Sequence, residues 1–162
     1  MRVINNMTLF WRTDEPFSNW HPSPFVIDGR TFNCGEQWMM YSKAMLFGDE
    51  EIAGKIMAEA VPRKQKMLGR QVRGFDGEEW TAQCEDIMYE GLLEKFRQSE
   101  QMLKAMLDTG DTMLVEASPD DAIWGIGLEE SDPRACNPEQ WLGQNKLGKV
   151  LMRVRDSLRA SR

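Results

Sequence analysis

The residues of this sequence that can do chemistry are polar groups, glycines and flat aromatics standing where a core needs none. Glu36 and Asp121 are carboxylates of the kind that orient an attacking water or steady a developing positive charge. Trp80 offers a ring on which a base can stack. Arg63, Lys64, Lys66, Arg70 and Arg73 crowd one stretch of an acidic chain, and such groups can meet a phosphate directly, Arg with bidentate geometry. Each has a plainer rival. Glu36 stands three residues after Asn33, the spacing of a capping box, and from pattern alone the cap is the stronger reading. Trp80 and Trp38 lie on apolar helical stripes, where tryptophan more often serves the core. Asp121 follows Pro119-Asp120 and suits a turn or cap. A basic run is usually a solvated face. The segment Gly143 to Gly148 reads equally as a tight turn with Asn145 capping the last helix or as a helix start that cradles phosphate.

What is missing narrows the chemistry. There is one histidine, His21, inside a Trp-His-Pro-Ser-Pro loop, so Ser-His-Asp or Cys-His catalysis would rest on that residue alone. Three cysteines, Cys34, Cys84 and Cys136, are an odd number at long spacings, which argues against a disulfide framework or a zinc site. Net charge is −6, so the overall field repels polyanions and general duplex nucleic-acid binding is not expected; any phosphate must be met by a local patch. No apolar run approaches the roughly 18 residues that span a bilayer, and the first residues lack a signal-peptide pattern. The expected location is the cytoplasm. A chain of 162 residues fits one domain, 1–162, large enough to bury a core without staples.

The elements that must position these residues follow from pattern. Thr8 to Trp11 and Phe25 to Ile27 read as short strands, the second closed by the hairpin pair Asp28-Gly29. A first helix is predicted at about 34 to 47, a second from an Asp49 cap to Ala60, and a third from Pro62 to Gly69. Asp76 with Glu79 starts the longest one, carrying Trp80, Cys84, Ile87, Met88, Leu92 and Phe96. Ser99 caps another, closed by Gly110. Thr112 to Glu116 is a buried-strand candidate leading into a loop; acidic and turn residues fill 129 to 140, and Leu147, Val150, Leu151, Val154 and Leu158 mark a terminal amphipathic helix. The methionines, 12 in all, suit an adaptable core. The fold class is α+β, a helix-rich domain with a small β element.

Five blocks in order carry a resemblance: Phe17-Ser18-Asn19-Trp20; Gly35-Glu36-Gln37-Trp38 with Lys43; Gly69-Arg70; Trp80 in its helix; and Asp121-Ala122-Ile123-Trp124-Gly125 followed by Gly143-Gln144-Asn145-Lys146-Leu147-Gly148. Together, over about residues 8 to 156, they resemble the NADAR (YbiA-like) family. The resemblance implies an N-glycosidase of a ribosylamine riboflavin-pathway intermediate or an ADP-ribose conjugate, cleaving the bond between a phosphorylated ribose and a nitrogen base. It implies Glu36 and Asp121 as catalytic carboxylates, Trp80 as the stacking platform, and Asn19, Lys43, Arg70, Trp124, Gly125 and Asn145 as substrate-binding residues, with no metal and no cofactor. The expected partner is a small phosphoribosyl or ADP-ribosyl molecule, a modified nucleobase included. Trp38 stays with the core, and the basic residues other than Arg70 stay with the surface. Trp20 stands where many members carry Phe, and Ile126 where some carry Asp, so no role transfers on that last carboxylate. The alternative is a non-catalytic module that binds ADP-ribose or a nucleotide, with a structural adaptor third.

Overall fold

A computed structural model describes all 162 residues. Two hairpins open the chain. Strands β1 (Arg2–Ile4) and β2 (Met7–Phe10) turn about Asn5 and Asn6, both at positive φ, and β3 (Phe25–Ile27) and β4 (Arg30–Phe32) turn about Asp28-Gly29 as that pair predicts. Helices α1 (Gly35–Leu46), α2 (Glu50–Ala58), α3 (Pro62–Gly69), α4 (Gly77–Arg97) and α5 (Glu100–Leu107) follow, then strand β5 (Met113–Glu116) and the terminal helix α6 (Lys146–Ala160). Between β5 and α6, the stretch read as acidic turns contains two short 3-10 helices, Pro133–Cys136 and Pro138–Gln140. None of the helices is long and apolar enough to cross a membrane.

The β element is two sheets, and one of them ties distant parts of the chain together. β2 pairs antiparallel with β1 and parallel with β5, in a register that sets Phe10 opposite Glu116. Side chains alternate across this sheet. Phe10 and Leu114 join the main core of helices and β-hairpin, with Phe17, Trp38, Met88, Leu92 and Leu147, while Leu9 and Val115 join a smaller cluster with Ile126, Leu128 and Ala135. Both sheet faces are therefore covered. Trp38 is buried in the main core, its indole N–H donating to the Ile87 carbonyl at 2.8 Å, and a Cβ on Gly91 would overlap its ring. Gly69 likewise has no room for a Cβ against Met40, so α3 lies close on α1.

Side-chain caps form at Asp49, Asp76 and Ser99, whereas Asn145 makes no cap bond to α6 and the pairing expected at α1 is replaced. Asp49 accepts from Ile52 N–H at 3.2 Å, Asp76 from Glu78 and Glu79 N–H at 2.9 and 3.3 Å, and Ser99 from Met102 N–H at 3.3 Å. The expected Asn33–Glu36 capping box does not form. The α1 cap residue is Cys34, and the Asn33 N–H is taken by Gln37 Oε1 at 2.7 Å. Asn33's own side chain is committed to the Ala60 carbonyl and to Gln65. Gln37 does the reaching back, which leaves Glu36 free for other work.

Candidate active site

A cavity of about 870 Å³ lies where the parallel strands β2 and β5 end. Trp11 and Arg12 continue β2, and Ser18, Asn19 and Trp20 come from the loop before β3. Glu116 closes β5, with Asp121 and Trp124 in the loop beyond. From α1 come Glu36, Met40 and Lys43, spaced to share one face; α3 adds Lys66, and Arg70 follows at its C-terminal cap; and Trp80 comes from the first turn of α4. Segments far apart in sequence thus bring acids, cations and indoles to one wall.

Glu36 is the residue the fold treats most unusually. It is 4% exposed, its main-chain N–H donates to the Asn19 carbonyl at 2.9 Å, and its Oε1 is buried with no hydrogen-bond partner. Burial pushes its carboxyl up to about 7; Lys66 opposes the rise, Asp121 adds to it, and Trp20 and Lys43 pull it back. Burial in turn lowers the ammonium of Lys43, with Glu36 opposing and Arg70 assisting. The Lys43 Nζ also lies 4.6 Å from the centroid of the Phe75 ring. Asn19 presents a second buried, unpartnered oxygen, Oδ1, and there is no room for a side chain at Gly35, where a Cβ would stand 2.7 Å from it.

Asp121 fills the turn role and also reaches the cavity. Its Oδ1 accepts from the amides of Ile123 and Trp124 at 2.9 Å each, a turn role, and the residue also lines the cavity. Trp80 is half-buried, packed against the main core and also on the cavity wall, whereas Trp38 is on no part of that wall. Asn19, Lys43, Arg70 and Trp124 line the cavity as well.

Two residues expected to touch substrate stand behind the wall instead. Asn145 is 1% exposed and its amide is spent on the main chain, Oδ1 accepting from Glu116 N–H and Nδ2 donating to the Leu114 carbonyl, each at 3.0 Å. Gly125 is buried under the same loop, where a Cβ would meet the Glu116 carbonyl at 3.0 Å and Ser118 Cβ at 2.9 Å. In the Gly143 to Gly148 segment Asn145 precedes α6, but its side chain makes no cap bond to the helix. The amides of Asn145, Lys146 and Leu147 donate to the carbonyls of Gly125, Ile123 and Trp124, so these donors at the start of α6 are occupied by protein.

Lys66, assigned to the surface by sequence, is exposed but lines the cavity beside Arg70. Arg73 is held by Asp49 at 2.8 Å instead. His21 lies off the cavity, its Nδ1 2.9 Å from the Thr13 carbonyl. Sequence reasoning passed over Glu116, Trp11 and Arg12 entirely. For Glu116 a signal existed: alternation along Met113-Leu114-Val115-Glu116 puts a carboxylate on the same face as the fully buried Leu114.

Fold and site define an α+β protein with a cavity in which carboxyl groups, tryptophans and cations meet, the layout of an enzyme site. The NADAR domain model matches residues 9–159, and the chain belongs to the NADAR family. It is 40% identical to Protein irg-1 of Caenorhabditis elegans over 93% of this chain and 78% of that one. It is 43% identical to N-glycosidase R617 of Acanthamoeba polyphaga mimivirus, over 86% of this chain and 85% of that protein. The NMR structure of the Escherichia coli protein YbiA superposes with a TM-score of 0.79 at 27% identity, over 98% of this chain and 89% of that one.

Proposed function

We propose that this cavity hydrolyses the N-glycosidic bond between a phosphorylated ribose, free or within ADP-ribose, and a nitrogen base. The chain is a hydrolase acting on N-glycosyl bonds, as are its relatives named N-glycosidases; the phosphoribosyl substrate is the finer part of the reading. The observation that carries it is Glu36, a buried carboxyl with its Oε1 unpartnered, on the wall of a cavity that also holds Trp80, Lys66 and Arg70. A buried carboxyl oxygen left unsatisfied in this way is costly to folding and gains nothing for anion binding, but it suits a ribosyl cation.

Cleavage of a ribose C–N bond passes through an oxocarbenium-like state. Glu36 is placed to stabilise that charge at C1′ and to accept the proton of the attacking water. Trp80 stacks on the departing base, a contact worth about 1–3 kcal/mol. Lys66, Arg70 and Lys43 meet the phosphate, while Asn19 Oδ1 is an acceptor for a ribose hydroxyl. Asp121, besides fixing the Trp124 turn, raises the proton affinity of Glu36. The reaction changes no oxidation state, so acid–base groups and water suffice. The cytoplasm is part of the same reading, supported by three free cysteines.

The test is a panel of a ribosylaminopyrimidine 5′-phosphate, NAD and ADP-ribosylated nucleobases, with released bases identified by mass spectrometry. Glu36→Gln keeps the shape and, lacking any cap to lose, leaves the fold intact; base release should fall by at least about 100-fold while ligand still binds. A folded variant with near-normal turnover would remove Glu36 from the chemistry. Binding of an ADP-ribosyl compound with no base released from any of the panel would make the protein a binding module.

A further inference from the structure

Glu116 occupies a position that sheet geometry reserves for an apolar side chain. Along β5, Leu114 and Glu116 face the helical core, while Val115 faces the smaller cluster. The backbone there is pinned on several sides. Glu116 N–H donates to Asn145 Oδ1 at 3.0 Å, its carbonyl accepts from Ile126 N–H at 2.9 Å, and the next amide, Ala117, donates to the Phe10 carbonyl at 2.9 Å. The side chain is not similarly engaged: Oε2 is buried with no hydrogen-bond partner, and the residue lines the same cavity as Glu36. An immobilised main chain carrying an unsatisfied carboxyl into a cavity is the arrangement of a pre-organised reactive group.

The surroundings divide the labour between the two glutamates. Glu116 is faced by Asp121 of its own loop, Glu36 of α1 and Lys66 of α3, while β2 presents Phe10 and α6 presents Asn145, both uncharged. Arg12, Lys43, Arg70 and Asp120 also line the cavity. Burial raises the Glu116 carboxyl, Asp121 and Glu36 raise it further and Lys66 opposes, leaving it at about 8. Lys66, Trp20 and Lys43 all favour the charged form of Glu36, whereas Lys66 alone does so for Glu116. That asymmetry favours charge on Glu36 and the proton on Glu116.

We propose that Glu116 is a second catalytic carboxyl group, the general acid that protonates the leaving nitrogen while Glu36 takes a proton from water; this rests on the glycosidase reading above. The water oxygen bonds to C1′ as its proton passes to Glu36. The electron pair of the C1′–N bond goes to the base nitrogen, which receives the Glu116 proton. A ribose hydroxyl and an N–H base result. Glu36 is left protonated and Glu116 ionised, and one proton transfer between them through solvent restores the start.

The experiment compares two leaving groups. Wild type, Glu36→Gln and Glu116→Gln are assayed across pH with a ribosylaminopyrimidine 5′-phosphate, whose nitrogen needs a proton, and with a 4-nitrophenyl ribofuranoside 5-phosphate, whose phenolate does not. In Glu116→Gln, kcat for the pyrimidine compound should fall about 10²- to 10⁴-fold and lose its alkaline limb, while the nitrophenyl compound loses less than about tenfold. Wild type should itself show an alkaline limb on the first compound and none on the second, a result that needs no variant to fold. Equal losses on both compounds, or an alkaline limb on both, would overturn the assignment. If Glu36→Gln instead retained full turnover on both, Glu36 would leave the chemistry and the division of labour between the two glutamates would be overturned; if wild type released no base, the phosphoribosyl reading would fail and take this one with it.

Discussion

Burying Glu36 has a thermodynamic consequence that can be measured apart from activity. Burial holds its carboxyl at about 7 in the folded state, above the ordinary 4.5, so folded protein binds the proton more tightly than unfolded chain. Between those two values stability falls as pH rises, and above about 7 the whole loss has accrued, on the order of 3 kcal/mol. Glu36→Gln should therefore melt several degrees higher than wild type at pH 8 and level with it near pH 4. Equal melting differences at both pH values would show that the carboxylate carries no such penalty. The two tryptophans on apolar stripes make a related contrast at this scale. Periodicity gives Trp38 and Trp80 the same reading, yet one gives its indole N–H to Ile87 inside the core and the other borders the cavity. A helical stripe is wider than the contact it makes, and only the neighbours say which edge is sealed.

At the scale of elements, the join between β5 and α6 decides where Glu116 points. Asn145 sits in the left-handed region and clasps β5 through both amide atoms, and a Cβ on Gly148 would overlap the Leu114 carbonyl. Asn145→Ala strands a buried N–H and a buried carbonyl, each costing about 1–3 kcal/mol, so the variant should lose roughly 2–6 kcal/mol in chemical denaturation. Among surviving folded molecules kcat should drop more than KM rises, because the end of β5 loosens. Unchanged stability with a raised KM would return Asn145 to direct substrate contact. The caps at Asp49, Asp76 and Ser99 and the Asp28-Gly29 hairpin were legible because they depend on residues within a few positions of one another. The capping box at α1 was misread for a related reason: Asn33 fits the local rule, but its side chain finds Ala60 and Gln65, partners well along the chain.

For the whole molecule, charge is distributed against its own average. A chain of net charge −6 sets Arg12, Lys43, Lys66 and Arg70 around one cavity beside the acids Glu36, Glu116, Asp120 and Asp121, so the phosphate of the proposed substrate would be met by particular cations and not by the net field. Raising salt from about 0.05 to 0.5 M should raise KM for a phosphorylated substrate and leave kcat nearly unchanged, since screening acts on encounter and not on the buried carboxyls. Arg70→Ala should raise KM at low salt and flatten that dependence. A salt-independent KM in wild type would mean that the cations do not meet the phosphate.

What the sequence by itself determined is the set of helices and turns, the α+β class, and the ordered motifs that bring Glu36, Trp80, Lys43, Arg70 and Asp121 under suspicion. Periodicity, caps and glycine placement act over a few residues, so they are visible without coordinates. Tertiary structure decided the rest. It alone paired β2 with β5 across more than half the chain, and with that pairing brought Glu116 and the residues after Phe10 to one cavity. It moved Lys66 onto the wall and Asn145 behind it, and it separated Glu36 from the cap it resembled. Whether a buried carboxylate is a cap, a wall or an acid depends on who faces it. Desolvation and Coulomb interaction are set by distance in space, which sequence spacing does not specify.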